Sequence, residues 1–159
     1  MRIAAAQINP VVGDLQGNAD KILRAYQEAA ENGVQLAVFP EMSISGYPPE
    51  DLLFKKHFLK DCRETSRKLA EKCTGAAIIF GSPICDKGGC FNSLLLASDG
   101  EIQTIYNKMQ LPNYGVFDER RYFSRGKIPL CFDVAGLRVG LSICEDIWET
   151  EQVELYKSL

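Results

Sequence analysis

Along the first eighty positions, short apolar runs alternate with longer amphipathic stretches. Arg2–Ile8 is small and apolar, which predicts a strand buried on both faces. Asn18 is placed to cap a helix running to about Asn32, with Ile22, Tyr26 and Ala29 or Ala30 on one face and Gly33 as its stop. Val34–Phe39 then reads as a second buried strand, closed by Pro40. Ser43–Pro49 is a loop marked by Gly46 and the Pro48-Pro49 pair. A longer helix follows to roughly Cys73, with Phe58, Cys62, Thr65 or Ser66, Leu69 and Cys73 at helical spacing. Gly75 ends it, and Ala76–Gly81 makes a third strand. Two β–α–β steps result, which is the signature of an α/β fold.

Further on, the period changes. Phe91–Ala97 and Glu101–Tyr106 flank Ser98-Asp99-Gly100, a turn sequence that predicts an antiparallel hairpin. Leu130–Val134 and Leu137–Ile143 repeat the pattern around Ala135-Gly136. Between the hairpins lies Met109–Lys127, long, irregular and rich in aromatic and charged residues; such structured loops inside a domain are commonly functional.

Composition narrows the function classes. The 159 residues suffice for one core, and 46% hydrophobic with 25% charged residues is ordinary for a soluble domain. Eighteen basic and twenty-one acidic residues give a net charge of −3, with no basic block to serve nucleic acid. The apolar runs are too short to span a bilayer, and the N-terminus does not resemble a signal peptide, so a cytoplasmic location without membrane contact is expected. Six cysteines (62, 73, 85, 90, 131 and 144) form no Cys-x-x-Cys pair, and His57 is the single histidine. No metal site is expected, and the cysteines are expected to be mostly free, buried packing residues.

One cysteine stands apart. Cys144 ends the apolar run Val139-Gly140-Leu141-Ser142-Ile143 and is followed at once by Glu145-Asp146. A thiol delivered by a strand to a polar corner suits a nucleophile whose following backbone N–H helps hold an oxyanion; the same position also suits a packing cysteine beside a turn. A nucleophile needs a base, and His57 belongs to a lysine-flanked helix, where it is expected at the surface. A carboxylate remains. Glu41, directly after Pro40 at the end of a buried strand, is the candidate, although an exposed loop would hold an acid there equally well. Lys108, after the Glu101–Tyr106 strand, could set a positive charge beside the oxyanion and favour a thiolate, or be an ordinary solvated lysine. Glu119 could orient that ammonium or pair with the neighbouring arginines.

Phe39-Pro40-Glu41, Asn107-Lys108 with Leu111-Pro112, and Ile143-Cys144-Glu145-Asp146 occur in the order Glu, Lys, Cys at strand ends. This resembles the nitrilase (carbon–nitrogen hydrolase) superfamily, whose Glu-Lys-Cys triad acts on amides and nitriles within a four-layer α-β-β-α sandwich. Ser45-Gly46-Tyr47-Pro48-Pro49-Glu50-Asp51-Leu52-Leu53 looks like the glutaminase domain of glutamine-dependent NAD synthetases. So do Leu111-Pro112-Asn113-Tyr114-Gly115-Val116-Phe117-Asp118-Glu119-Arg120-Arg121-Tyr122-Phe123 and Cys144-Glu145-Asp146-Ile147-Trp148. The resemblance extends over essentially the whole chain, which would be only the N-terminal part of that domain.

The resemblance implies a division of labour. Cys144 would attack the side-chain amide of L-glutamine, Glu41 would act as general base, and Lys108 with the Glu145 backbone N–H would hold the oxyanion. Glu119 would support the triad, and Tyr47, Tyr114 and Glu145 would lie at the substrate pocket. A glutamyl thioester would form and be hydrolysed to glutamate. The ammonia would pass to a C-terminal NAD synthetase domain, there to amidate ATP-activated deamido-NAD with magnesium. No Ser-Gly-Gly-x-Asp-Ser type loop occurs here, so no cofactor is expected in this portion, and the family implies a homo-oligomer. Two alternatives stay open: a stand-alone amidase for another small amide, and a truncated unit without catalysis.

Overall fold

The computed structural model describes residues 1–148, 150–157 and 159, apart from the side chains of Glu151 and Gln152. Three strands, β1 (Ile3–Ala5), β2 (Leu36–Val38) and β3 (Ala77–Asp86), pair in parallel, with Ile3 opposite Leu36 and Leu36 opposite Ala77. Helices α1 (Leu15–Glu31) and α2 (Lys56–Glu71) are the crossovers that parallel pairing requires. β4 (Gly89–Ser98) and β5 (Glu101–Asn107) then add antiparallel, giving the order β1-β2-β3-β4-β5. β6 (Cys131–Val134) and β7 (Leu137–Gly140) form a separate antiparallel pair. A 3₁₀ turn at Glu50–Phe54, the short helix α3 (Glu119–Tyr122), a second 3₁₀ turn at Cys144–Trp148 and α4 (Thr150–Lys157) complete the described elements.

The large sheet is covered on both faces, because successive strand residues point to opposite sides. Ile78, Phe80, Leu95 and Ala97 face Ile22 and Tyr26 of α1 and Leu69 and Ala70 of α2. Ile79, Leu94 and Leu96 face the other way, onto Leu141 and Ile143, with Phe132 and Val134 packed alongside. The layers therefore run helices, five-stranded sheet, β6–β7. A third cluster, Met42, Leu53, Leu111 and Phe123, seals the end of the sheet where the loops converge.

Several expectations need correction. Only Ile3–Ala5 of the first run pairs, and Ile3 is 52% exposed, because β1 is the edge strand with one neighbour. The cap of α1 is Asp14, whose Oδ1 accepts the Gly17 N–H at 3.0 Å. Asn18 lies buried inside the helix and ties it to the loops, accepting the Val11 N–H (2.8 Å) and donating to the carbonyls of Val11 (2.7 Å) and Ile44 (3.0 Å). β3 runs five residues past Gly81 and returns as β4, with Cys85 opposite Cys90 and disulfide-bonded to it. That pair departs from the expectation of free thiols: cysteines facing each other across a tight hairpin are close enough to bond. Cys62 and Cys73 are buried packing residues, and burial pushes both thiols up to about 12. β7 stops at Gly140 rather than Ile143, and α4 was not foreseen. Among the described residues, no helix is long and apolar enough to cross a membrane.

Candidate active site

The segments that follow β2, β5 and β7, together with α3, bring the candidate residues together. β2 continues through Phe39, whose N–H reaches the Ile79 carbonyl at 2.8 Å, and Pro40 then turns the chain outward at Glu41. Met42 adopts a left-handed backbone (φ 54°), and this turn is fastened to β3 by the Ile44 N–H on the Gly81 carbonyl (3.0 Å). A side chain at Gly81 would place its Cβ 2.2 Å from the Met42 nitrogen, so only glycine lets β3 pass so close beneath the Glu41 turn. Lys108 prolongs β5: its N–H donates to the Asn92 carbonyl (2.9 Å) and its carbonyl accepts from Gly126 (2.8 Å). A Cβ at Gly126 would meet the Asn107 oxygen at 1.9 Å, another contact reserved for glycine.

The side chains form one hydrogen-bonded group. Lys108 Nζ, fully buried, lies 2.8 Å from Glu41 Oε1 and 3.0 Å from Glu119 Oε1. The Tyr47 hydroxyl donates to Glu119 Oε1 at 3.1 Å, and the Asn92 side-chain amide donates to Glu41 Oε1 at 2.5 Å. Glu119 is 4% exposed and Glu41 about a quarter exposed at the side chain (23%), so Glu41 is the carboxylate open to a reactant. Burial works against the Lys108 ammonium, but the two carboxylates outweigh it and raise its pKa; it stays charged at neutral pH and cannot serve as a base. Burial likewise raises the Glu119 carboxyl, against the pull of Lys108 and the Tyr47 hydroxyl.

Cys144 stands at the start of the second 3₁₀ turn with a left-handed backbone (φ 46°) and an exposed side chain. Burial of the sulfur and the charge of Glu41 raise its pKa, while Lys108 and a hydrogen bond from the Glu145 backbone N–H lower it. Raising wins. Lys108 therefore favours the thiolate as a contribution but does not carry the balance, and the thiol rests protonated. It needs a base; His57 is exposed on α2, and Glu41 is the carboxylate whose charge acts most on the thiol. A thiol, an adjacent carboxylate, a fixed ammonium and a backbone N–H on the sulfur suffice for attack on an amide carbon with an oxyanion held between the two donors.

Tyr114 and Glu145 pair with each other at the exposed rim, the hydroxyl 3.1 and 3.0 Å from the two carboxylate oxygens. The Tyr47 side of the group borders a cavity of about 330 Å³ whose lining includes Glu119, Arg121 and Tyr122. Among the described residues, no cluster of three or more His, Cys, Asp or Glu side chains is placed to hold a metal ion.

Two polar residues of the site were missed in the sequence. Asn92 is 1% exposed in the middle of β4, and a buried amide inside an apolar strand was itself a signal, since such a group demands partners. Asp146 is equally buried and accepts four hydrogen bonds: from Met109 N–H (3.0 Å) and Gln110 N–H (2.7 Å) on one oxygen, and from Ile143 N–H (3.0 Å) and the Tyr106 hydroxyl (2.7 Å) on the other.

Known proteins share the sequence and fold of this chain. The glutamine-dependent NAD(+) synthetase of Thermotoga maritima is 42% identical over 150 residues, covering 93% of this chain and 26% of that protein. A solved glutamine-dependent NAD+ synthetase from Acinetobacter baumannii, with bound ADP, superposes with a TM-score of 0.93 at 34% identity, over 98% of this chain and 30% of its own. An amidase from Nesterenkonia sp. AN1, carrying an acrylamide adduct at its active-site cysteine, superposes with a TM-score of 0.82 at 29% identity, over 96% and 61%. The chain thus spans little more than a quarter of its curated relatives. The carbon–nitrogen hydrolase family model matches residues 2–157, and the chain belongs to that family, with its α/β nitrilase-superfamily fold.

Proposed function

We propose that this chain is the N-terminal part of the glutaminase domain of a glutamine-dependent NAD synthetase, with Cys144 as nucleophile. The observation that carries the proposal is the Glu41–Lys108–Glu119 group, built on a buried ammonium beside a protonated, accessible thiol, on a chain 93% of which aligns with part of such a synthetase. Glu41, the more exposed carboxylate, takes the thiol proton as sulfur attacks the side-chain amide carbon of L-glutamine. The oxyanion forms between Lys108 and the Glu145 N–H. Return of the proton through Glu41 lets ammonia leave, and a glutamyl thioester remains on Cys144. Water, deprotonated by Glu41, then releases glutamate. Glu119 keeps Lys108 in place, and Tyr47 is held against it by the shared carboxylate oxygen. Tyr114 and Glu145, paired at the exposed rim, help position the substrate.

The ammonia would serve a C-terminal synthetase domain, where ATP and magnesium activate deamido-NAD, in a homo-oligomer. This portion has no cofactor of its own. The test uses the full-length protein with L-glutamine. Ammonia release and a glutamyl adduct on Cys144 in the intact mass are expected, and both should vanish in Cys144→Ala. Persistent hydrolysis by that variant would remove Cys144 from the mechanism. Chelating magnesium should stop NAD formation from glutamine, ATP and deamido-NAD while glutamine hydrolysis continues. The likeness to the Nesterenkonia amidase favours a second reading, a stand-alone amidase, which would be preferred if small aliphatic amides were hydrolysed faster than L-glutamine.

A further inference from the structure

The four hydrogen bonds on Asp146 connect two segments, residues 106–110 and 143–146. One oxygen takes the successive N–H groups of Met109 and Gln110, the two residues after Lys108. The other takes the N–H of Ile143, the residue before Cys144, and the hydroxyl of Tyr106, two residues before Lys108. The Asp146 backbone N–H returns to the Ile143 carbonyl at 3.0 Å, so residues 143–146 close a ring on themselves around Cys144 and Glu145. Within that ring Cys144 holds a left-handed backbone, a conformation that a side chain with a Cβ adopts only under constraint.

From this geometry we infer that Asp146 is the positioning residue that sets the distance between the Lys108 ammonium and the Cys144–Glu145 turn, and so fixes the width of the oxyanion site. The inference rests on the amide-hydrolysing reading above. Asp146 bonds to three backbone N–H groups and the Tyr106 hydroxyl, so it acts by holding the two segments. A single rigid carboxylate bonded to both segments leaves no freedom for one to slide past the other, whereas apolar contact between Met109, Leu141 and Ile143 alone would resist separation but not sliding. A displacement of about 1 Å between reacting groups can lower a rate on the order of a hundredfold, so this latch would be felt in turnover rather than in substrate affinity.

The experiment compares Asp146→Asn, Tyr106→Phe and Tyr26→Phe in the full-length protein. Asn keeps an oxygen for Met109 and Gln110 but presents a donor to the Ile143 N–H. Tyr106→Phe removes one of the four bonds. Tyr26→Phe removes a comparably buried hydroxyl, bonded to Ala76 and Gly75 far from the site, and serves as the stability control. For glutamine hydrolysis, kcat should fall roughly ten- to a hundredfold in Asp146→Asn and severalfold in Tyr106→Phe, with KM within about twofold and Tyr26→Phe at the wild-type rate. If Asp146→Asn does not fold, the two tyrosine variants decide: equal loss of Tm with unchanged kcat in both would overturn the inference. So would a folded Asp146→Asn enzyme with kcat within about twofold of wild type. If the wild-type protein hydrolyses no glutamine, the glutaminase reading fails, and iodoacetamide alkylation of Cys144, followed by mass spectrometry of its peptide, still tests the latch. Alkylation should then slow severalfold in Asp146→Asn and not in Tyr26→Phe; an unchanged rate in Asp146→Asn would rule the latch out.

Discussion

Lys108 is the residue on which the site depends most, because both carboxylates lean on one buried ammonium. Replacing it with methionine would leave Glu41 and Glu119 facing each other without a counter-charge, at a cost of about 3–5 kcal/mol in urea unfolding. Adding Glu119→Gln to that variant should recover part of the loss. The sign of the pH dependence follows from the raised Lys108 pKa. Its contribution is complete below the ordinary lysine value of 10.5 and is lost as pH rises through the higher folded value. The stability gap between wild type and Lys108→Met should therefore stay level from about pH 7 to 9 and close only in strong alkali. Asn92→Ala should lower kcat without abolishing it, since Glu41 keeps Lys108 but loses the amide that fixes its Oε1. At this scale the sequence was partly legible. Glu41, Lys108 and Cys144 each follow a strand end, where chemistry-bearing side chains are conspicuous against apolar runs. The partners of Asn92 and Asp146 lie 51 and up to 40 residues away, and no local pattern announces such pairings.

Among the elements, the helices show how local signals mislead. Asp14 and Asn18 are both good capping residues four positions apart, and Gly17 between them discourages extending the helix forward. Tertiary contacts decide: Asn18 satisfies three loop backbone groups, so it goes inside, and Asp14 takes the cap. Asp14→Ala should then lower stability by only about 1 kcal/mol. Asn18→Ala, which leaves buried loop groups unpaired, should cost about 1–3 kcal/mol or more; thermal unfolding of both variants checks the order. β3 runs on past Gly81 through Pro83, although glycine and proline are both poor strand formers. Gly81 is there for a backbone reason, to let the Glu41 turn approach. Gly81→Ala should depress activity and stability together, since the contact it breaks is with main chain and cannot be relieved by a rotamer change.

Over the whole molecule, burial is uneven in a way that orders its stability. β3 and β4 have nearly all their central residues covered on both faces, whereas β6 and β7 have none fully buried. Amide hydrogen exchange should be slowest in β3 and β4 and fastest in β6–β7; the reverse order would contradict the layering. The fold class was legible early because period and breaker residues mark β–α–β units, while the disulfide-bonded β3–β4 hairpin and α4 emerge only with the tertiary arrangement. The candidate site draws Glu41, Asn92, Lys108, Glu119 and Cys144 from five separate stretches of chain, and the latch on Asp146 closes only when β5 and the turn at Cys144 meet. Bringing together partners so distant in sequence is entropically late work for a folding chain. Chemical competence is therefore a clock for the end of folding: on dilution from urea, helical signal should return first, and reactivity at Cys144 last.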